Sequence, residues 1–164
     1  KKQLKMKKWI LILFIIFGLK SNAQNSIPRF VKLTLTEIKS IETEFNWHDE
    51  NILVLNFITP INFSDSDYEK NITQTIDYWS EFYKNVDLKN AKKKFVYSDC
   101  VGRNQMSTNN TIHIDKNEII RNIFFPKDKT CSAIVILNKN GDFKILTGKY
   151  NQQEITDSIS ELKN

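Results

Sequence analysis

Ala133-Ile134-Val135-Ile136-Leu137-Asn138-Lys139-Asn140-Gly141-Asp142-Phe143-Lys144-Ile145 is the stretch whose reading decides the fold. Residues 133–137 are a continuous apolar run, as in a strand buried on both faces. Asn140-Gly141 is a strong two-residue hairpin signal, because such turns need positive φ at their centre. The chain then returns through Phe143, Ile145 and Leu146, and Ile155, Ile159 and Leu162 recur at helical spacing to close it. Upstream, residues 52–58 form a second near-continuous apolar run stopped by Thr59-Pro60, which suits a central strand.

Between these two strands, Tyr68, Ile72, Ile76, Trp79, Tyr83 and Val86 step by three and four. They predict a long amphipathic helix of about 20 residues, with Asp65, Asp67 and Glu69 grouped where a helix N-terminus favours negative charge. Residues 95–97 read as a short strand, residues 100–110 as a polar loop, and residues 118–125 as a short helix ending before Pro126. At the start, Val31, Leu33 and Leu35 alternate with Lys32 and Thr34 as a strand does, and Ile38, Ile41 and Phe45 follow at helical spacing. The expected order is β-α-β-α-β-α-β-β-α.

This order, with a strand hairpin and a closing helix in its last third, resembles the thioredoxin-like fold: an α/β three-layer sandwich around a central mixed sheet. The chain is also similar to small exported thioredoxin-like domains that lack the C-x-x-C motif and begin with a Trp, here Trp47, shortly before an apolar strand ending in Pro, here Pro60. The resemblance implies a redox C-x-x-C in the loop before the long helix, where the helix dipole lowers a thiol pKa. That loop reads Thr59-Pro60-Ile61-Asn62-Phe63-Ser64-Asp65-Ser66-Asp67, without cysteine. In the peroxiredoxin branch, a pattern around Pro60 and Phe63 would set a thiol near the helix start, where Asp67 stands. The family's cis-proline, due just before Ala133, is replaced by Thr130-Cys131-Ser132. The resemblance therefore implies the fold without its usual chemistry, and so a non-catalytic binding or interaction module.

The two cysteines are the remaining candidates for a site. On the thioredoxin-like topology, Cys100 lies just past the third strand and Cys131 just before the fourth, at the edge that carries the family's active loop. A Cys100–Cys131 disulfide is expected in an oxidising compartment. The loop-entropy model assigns such a bridge roughly 3–4 kcal/mol. One reading is a structural staple. The other is an atypical thiol-disulfide oxidoreductase in which Cys100 and Cys131 are catalytic and Arg103 favours a thiolate.

Charge and address bound the rest. Residues 1–23 combine a lysine-rich start, an apolar run over 9–19 and small Ser21 and Ala23 before Gln24, the pattern of a secretory signal peptide, with Met6 read as the true start. The run would extend about 17 Å as a helix, too short to span a bilayer. The expectation is a signal peptide over 1–23, a single domain over 24–164, and an exported, periplasmic or secreted product of an AT-rich bacterial genome, with no membrane association after cleavage. The 164-residue chain carries a net charge of +5, but the mature part has 18 basic against 19 acidic residues. That balance removes the electrostatic basis for nucleic-acid binding, and Lys92-Lys93-Lys94 reads as solvated flanking charge.

No cofactor or metal is expected, and a protein partner of unknown identity is. Four glycines in all disfavour a phosphate-cradling loop, and Gly141 and Gly148-Lys149 lack P-loop spacing. Asp65, Asp67 and Glu69 resemble a calcium loop only until Lys70 and Ile76 take the places of its Gly and Glu. His48 and His113 are isolated. A secreted hydrolase would need a G-x-S-x-G elbow that the sequence lacks. Tyr78, Trp79, Phe82 and Tyr83 give the long helix a wide aromatic face, read chiefly as core, with Tyr78 and Phe82 off the main stripe.

Overall fold

Thr34 sets where regular structure begins. The computed structural model describes residues 32–59, 65–88, 90–98, 112–126 and 132–163, with residues 65–72 described by backbone alone. The Thr34 hydroxyl accepts the Glu37 N–H at 3.3 Å, and the Glu37 carboxylate accepts the Thr34 N–H at 2.7 Å. This capping box satisfies two of the helix's orphan donors and starts α1 (Leu35–Phe45).

The expected opening strand is therefore not formed at Lys32, Leu33 and Thr34, while Val31 lies outside the described residues. Leu35, 78% exposed, belongs to the first helical turn. Leu33 is buried instead by its approach to the later hairpin, where its N–H donates to the Gly141 carbonyl at 2.9 Å. Three alternating residues are a weak period beside a capping box that leads into Ile38, Ile41 and Phe45, all buried.

Asn46, at φ 50°, ends α1, and the Trp47 N–H donates back to the Glu42 carbonyl at 3.0 Å. Trp47 is fully buried, its indole N–H donating to the Glu50 carbonyl at 2.7 Å. The chain continues through β1 (Ile52–Ile58), α2 (Asp65–Phe82), a 3-10 turn (Tyr83–Asn85), β2 (Ala91–Ser98), β3 (Ile112–Asp115), α3 (Ile119–Phe124), β4 (Ser132–Asn138), β5 (Phe143–Thr147) and α4 (Gln152–Leu162).

The strands form one sheet in the order β3-β2-β1-β4-β5. β1, β2 and β3 are parallel, β4 is antiparallel to β1, and β5 is antiparallel to β4. Alternation along the strands sorts the core into two layers. Leu53, Leu55 and Phe57 pack with Val135 and Leu137 toward Ile41 and Phe45 of α1 and Ile120 and Phe124 of α3. Ile52 and Val54 pack with Ile134 and Ile136 toward Ile76 of α2 and Ile155 and Ile159 of α4. Burial on both faces explains why β1 and β4 are near-continuous apolar runs.

The hairpin between β4 and β5 has the predicted Asn140-Gly141 turn, with Gly141 at φ +85°. Asn138 organises it: its Oδ1 accepts the N–H groups of Asn140 and Asp142 at 3.0 and 2.9 Å, and its Nδ2 donates to the Leu162 carbonyl at the end of α4.

Two further expectations are corrected. β2 is eight residues long and includes Lys92, Lys93 and Lys94, which are half-buried within the strand and not flanking charges. Pairing along the whole of β1 holds them there. Lys92 donates to the Asn46 carbonyl at 2.6 Å and pairs with Glu50, while the Lys93 ammonium lies 4.6 Å from the Tyr83 ring centroid. The second correction is β3, which takes the sheet edge beside β2 and has no counterpart in the expected order. The described chain thus runs α-β-α-β-β-α-β-β-α.

Candidate functional site

β1, β2 and β3 end at one edge of the sheet, and β4 begins there. Ile58 stands in register with Tyr97 on one side and Ser132 on the other, and Tyr97 with Ile114. Carboxyl ends of parallel strands are where open α/β sheets present their ligand sites. Among the described polar side chains at this edge are Thr59, Ser98, Asp115 and Arg121.

Asp115, the last residue of β3, is 1% exposed. Its two carboxylate oxygens accept the N–H groups of Ile120 and Arg121 at 3.2 and 3.0 Å. It thereby caps α3, because Glu118 at the helix start sits at φ 51° and makes no side-chain cap. Burial pushes the Asp115 carboxyl above the usual carboxylate range, with the α3 backbone donors and His113 opposing that rise.

Arg121, one turn into α3, is half-buried. Its Nε donates to Ser98 Oγ at 3.2 Å and its Nη2 to Thr59 Oγ1 at 2.6 Å. The guanidinium also lies 5.3 Å from the Phe57 ring centroid, and that ring stacks on Phe125 at 5.1 Å. One arginine therefore ties the ends of β1 and β2 to α3, while Asp115 ties α3 to β3. A fixed guanidinium at a strand-end edge can hydrogen-bond a carboxylate or oxyanion, or favour a nearby thiolate.

None of these four residues was singled out by the sequence. Their only local signal is Asp115 followed four residues later by the start of an apolar helical turn. The candidates that were singled out fare differently. Cys100 and Cys131, with their expected disulfide, lie outside the described residues, as do Arg103 and the loop from Pro60 to Ser64. The described chain ends β2 at Ser98, two residues before Cys100, and begins β4 at Ser132, next to Cys131. β2 and β4 flank β1, so the two chain ends are two strand spacings apart, about 10 Å.

His113 is not aimed at that edge. Its Nε2 lies 2.6 Å from Glu44 Oε1 and its ring 4.6 Å from that of Phe45, so it clasps β3 to α1. His48 is exposed. The aromatic face of α2 divides as its spacing suggests: Tyr83 is buried, Trp79 stacks on Tyr150 at 6.0 Å, and Tyr78 is 62% exposed. The backbone from Asp65 onward is helical, as capping carboxylates would have it. Among the described residues no cluster of His, Cys, Asp and Glu is arranged to hold a metal ion, and no helix is long and apolar enough to cross a membrane.

No family model and no curated protein matches the chain. Among solved structures it is similar to one described as "Solution Structure of a Putative Thioredoxin from Neisseria meningitidis", at 14% identity and a TM-score of 0.41 over 80% of each chain. The fold assignment rests on the sheet itself. A mixed five-stranded sheet in which an antiparallel β4 separates β1 from β5, with helices on both faces, is a thioredoxin-like fold.

Proposed function

We propose that this chain is an exported thioredoxin-like module of a bacterial envelope that binds a protein partner and does not itself exchange electrons. The observation that carries the reading is the connection from β1 to α2. In a thioredoxin-like sheet this is the position of the reactive thiol, and the sequence from Thr59 to Asp65 supplies none. What stands beside it is Arg121, bonded to Thr59 and Ser98, a group suited to recognition by charge and hydrogen bonding.

The second reading is an atypical oxidoreductase using Cys100 and Cys131. It is favoured by one specific observation: the two described strand ends nearest those cysteines flank β1 at the edge that carries Arg121.

Intact-mass thiol trapping of the exported protein across a series of redox buffers separates the readings, together with a disulfide-reduction and peroxide-turnover assay. A binding module gives no turnover, and any Cys100–Cys131 bridge resists reduction below about −300 mV. Turnover that vanishes in Cys100→Ser, with a bridge opening near about −200 mV, overturns it in favour of the oxidoreductase. The same spectra report cleavage before Gln24.

A further inference from the structure

β5 is the last strand of the sheet, and among the described residues no strand pairs with its second side. The hairpin fixes which of its backbone groups face that side. Asn138 and Asp142 stand opposite each other, and the Asn138 N–H donates to the Asp142 carbonyl at 3.0 Å. Opposed residues of an antiparallel pair alternate between bonded and non-bonded. Lys144 therefore bonds with Ile136 and Leu146 with Ile134, while the N–H and C=O groups of Phe143, Ile145 and Thr147 point away from β4. Among the described residues none of these three finds a backbone partner beyond the hairpin. Such a row is a template for a further strand, which proteins ordinarily blunt with proline, a bulge or an inward charge. β5 contains no proline and pairs with β4 at every residue, without a bulge. Its one charged residue, Lys144, is met by Glu161 of α4.

This row is its own complement under a two-fold axis. Laid antiparallel to a second copy and centred on Ile145, Phe143 faces the partner's Thr147 and Ile145 faces its own counterpart. All three outward residues then form bonded pairs, each exchanging two hydrogen bonds. Lys144 faces the partner's Leu146, and the two Lys144 side chains meet only diagonally, each neutralised within its own chain by Glu161. Centring on Lys144 instead loses one bonded pair and sets the two lysines directly opposite, where like charges repel. Phe143 and Ile145 pack half-buried against the first core layer and Leu146 against the second, so a joined edge continues both layers. We propose that β5 pairs with β5 of a second copy, antiparallel about Ile145, joining two five-stranded sheets into one. Five residues a side is a short contact beside the roughly 800 Å² per partner of a standard interface, so the dimer forms and dissociates with concentration.

Amide hydrogen exchange and sedimentation equilibrium over one dilution series test this. In the monomer the Phe143, Ile145 and Thr147 amides lack an acceptor and exchange fast. Where about nine-tenths of the chain is dimer, mass action is expected to slow them about tenfold. A sample mixing labelled with unlabelled chains is expected to show an NOE between Hα of Lys144 and Hα of the partner's Leu146, the close non-bonded pair of this register. Thr147→Pro removes an outward N–H at an exposed residue and leaves the hairpin's own bonds in place. By symmetry it deletes two bonds from the dimer and is expected to weaken it by about tenfold or more, while Thr147→Ala, which keeps the N–H, does not. Fast exchange with a monomer at every concentration overturns the proposal. So does protection unchanged by dilution, which marks cover by another segment of the same chain. A dimer that Thr147→Pro leaves unaltered also overturns it, in favour of contact through another face.

Discussion

Replacing Asp115 separates what its carboxylate does as a hydrogen-bond acceptor from what it does as a charge. Asp115→Ala removes the acceptors of the Ile120 and Arg121 N–H groups, and Ile120 is fully buried. Loss of a helix cap costs about 1 kcal/mol, and a buried donor left unpaired costs about 1–3 kcal/mol. The expected loss is therefore about 2–4 kcal/mol, read as a lower urea midpoint at unchanged slope. Asp115→Asn discards the charge and keeps only one of the two acceptors, its amide nitrogen facing the other N–H, so at pH 7 it is expected to cost about 1–3 kcal/mol.

The pH dependence carries the sign. Burial raises the folded-state pKa of Asp115 above its unfolded value of about 3.9. The folded protein then holds a proton that the unfolded chain has released, so this group's contribution to stability is fully present below about pH 3.9 and is lost as pH rises through the raised value. Asp115→Asn has no such titration, and the other groups cancel in the difference. Its stability relative to the parent is expected to rise with pH across that window. Urea unfolding of both proteins at intervals from pH 3.5 to 8 measures it. If Asp115→Asn loses ground to the parent as pH rises, the ionised carboxylate is net favoured at this edge, and the reasoning from burial is refuted.

The remaining predictions concern other parts of the fold. Gly141→Ala is expected to cost about 2–3 kcal/mol by denaturant unfolding, because a Cβ would lie 2.8 Å from the Leu33 carbonyl oxygen and 3.0 Å from Ile38 Cδ1 at a φ of +85°. Arg121→Lys is expected to lose about 1–2 kcal/mol, since one ammonium cannot reproduce the forked bonds to Ser98 and Thr59. Hydrogen exchange in that variant should quicken at the ends of β1 and β2 while the hairpin is unchanged. Burial pushes Tyr150 up to about 12 and Tyr83 higher still. Absorbance titration at 295 nm should therefore find Tyr83 silent until the chain unfolds, with stability falling as pH rises above about 10, where unfolded tyrosines ionise.

The parts of the fold that were legible are those whose signal is local and repeated. β1, β4 and their antiparallel hairpin follow from continuous apolar runs and one Asn-Gly turn, and α2 from a stripe that recurs over five turns. The opening strand failed because three alternating residues cannot outweigh a capping box, whose two hydrogen bonds form within four residues of chain. β3 was missed for a related reason. Ile112-His113-Ile114-Asp115 is too short to establish a period, and what makes it a strand is the free edge of β2.

The polar edge was illegible for a deeper reason. Arg121 reaches a serine 23 positions away and a threonine 62 positions away, and no sequence window spans either separation. Each of those residues, read alone, is an ordinary polar residue at the end of an element. They acquire a joint role only because three parallel strands end together, and parallel pairing sets distant segments side by side with their carboxyl ends on one edge. The same topology ends β2 at Ser98 and begins β4 at Ser132 on that edge, on two strands that never pair with each other. An arginine that holds the strand ends together would therefore set both the rigidity of the edge and the charge felt by any group that docks there. On the binding role proposed above, loss of partner binding in Arg121→Ala should accordingly exceed that in Arg121→Lys, which keeps the charge and loses only the fork.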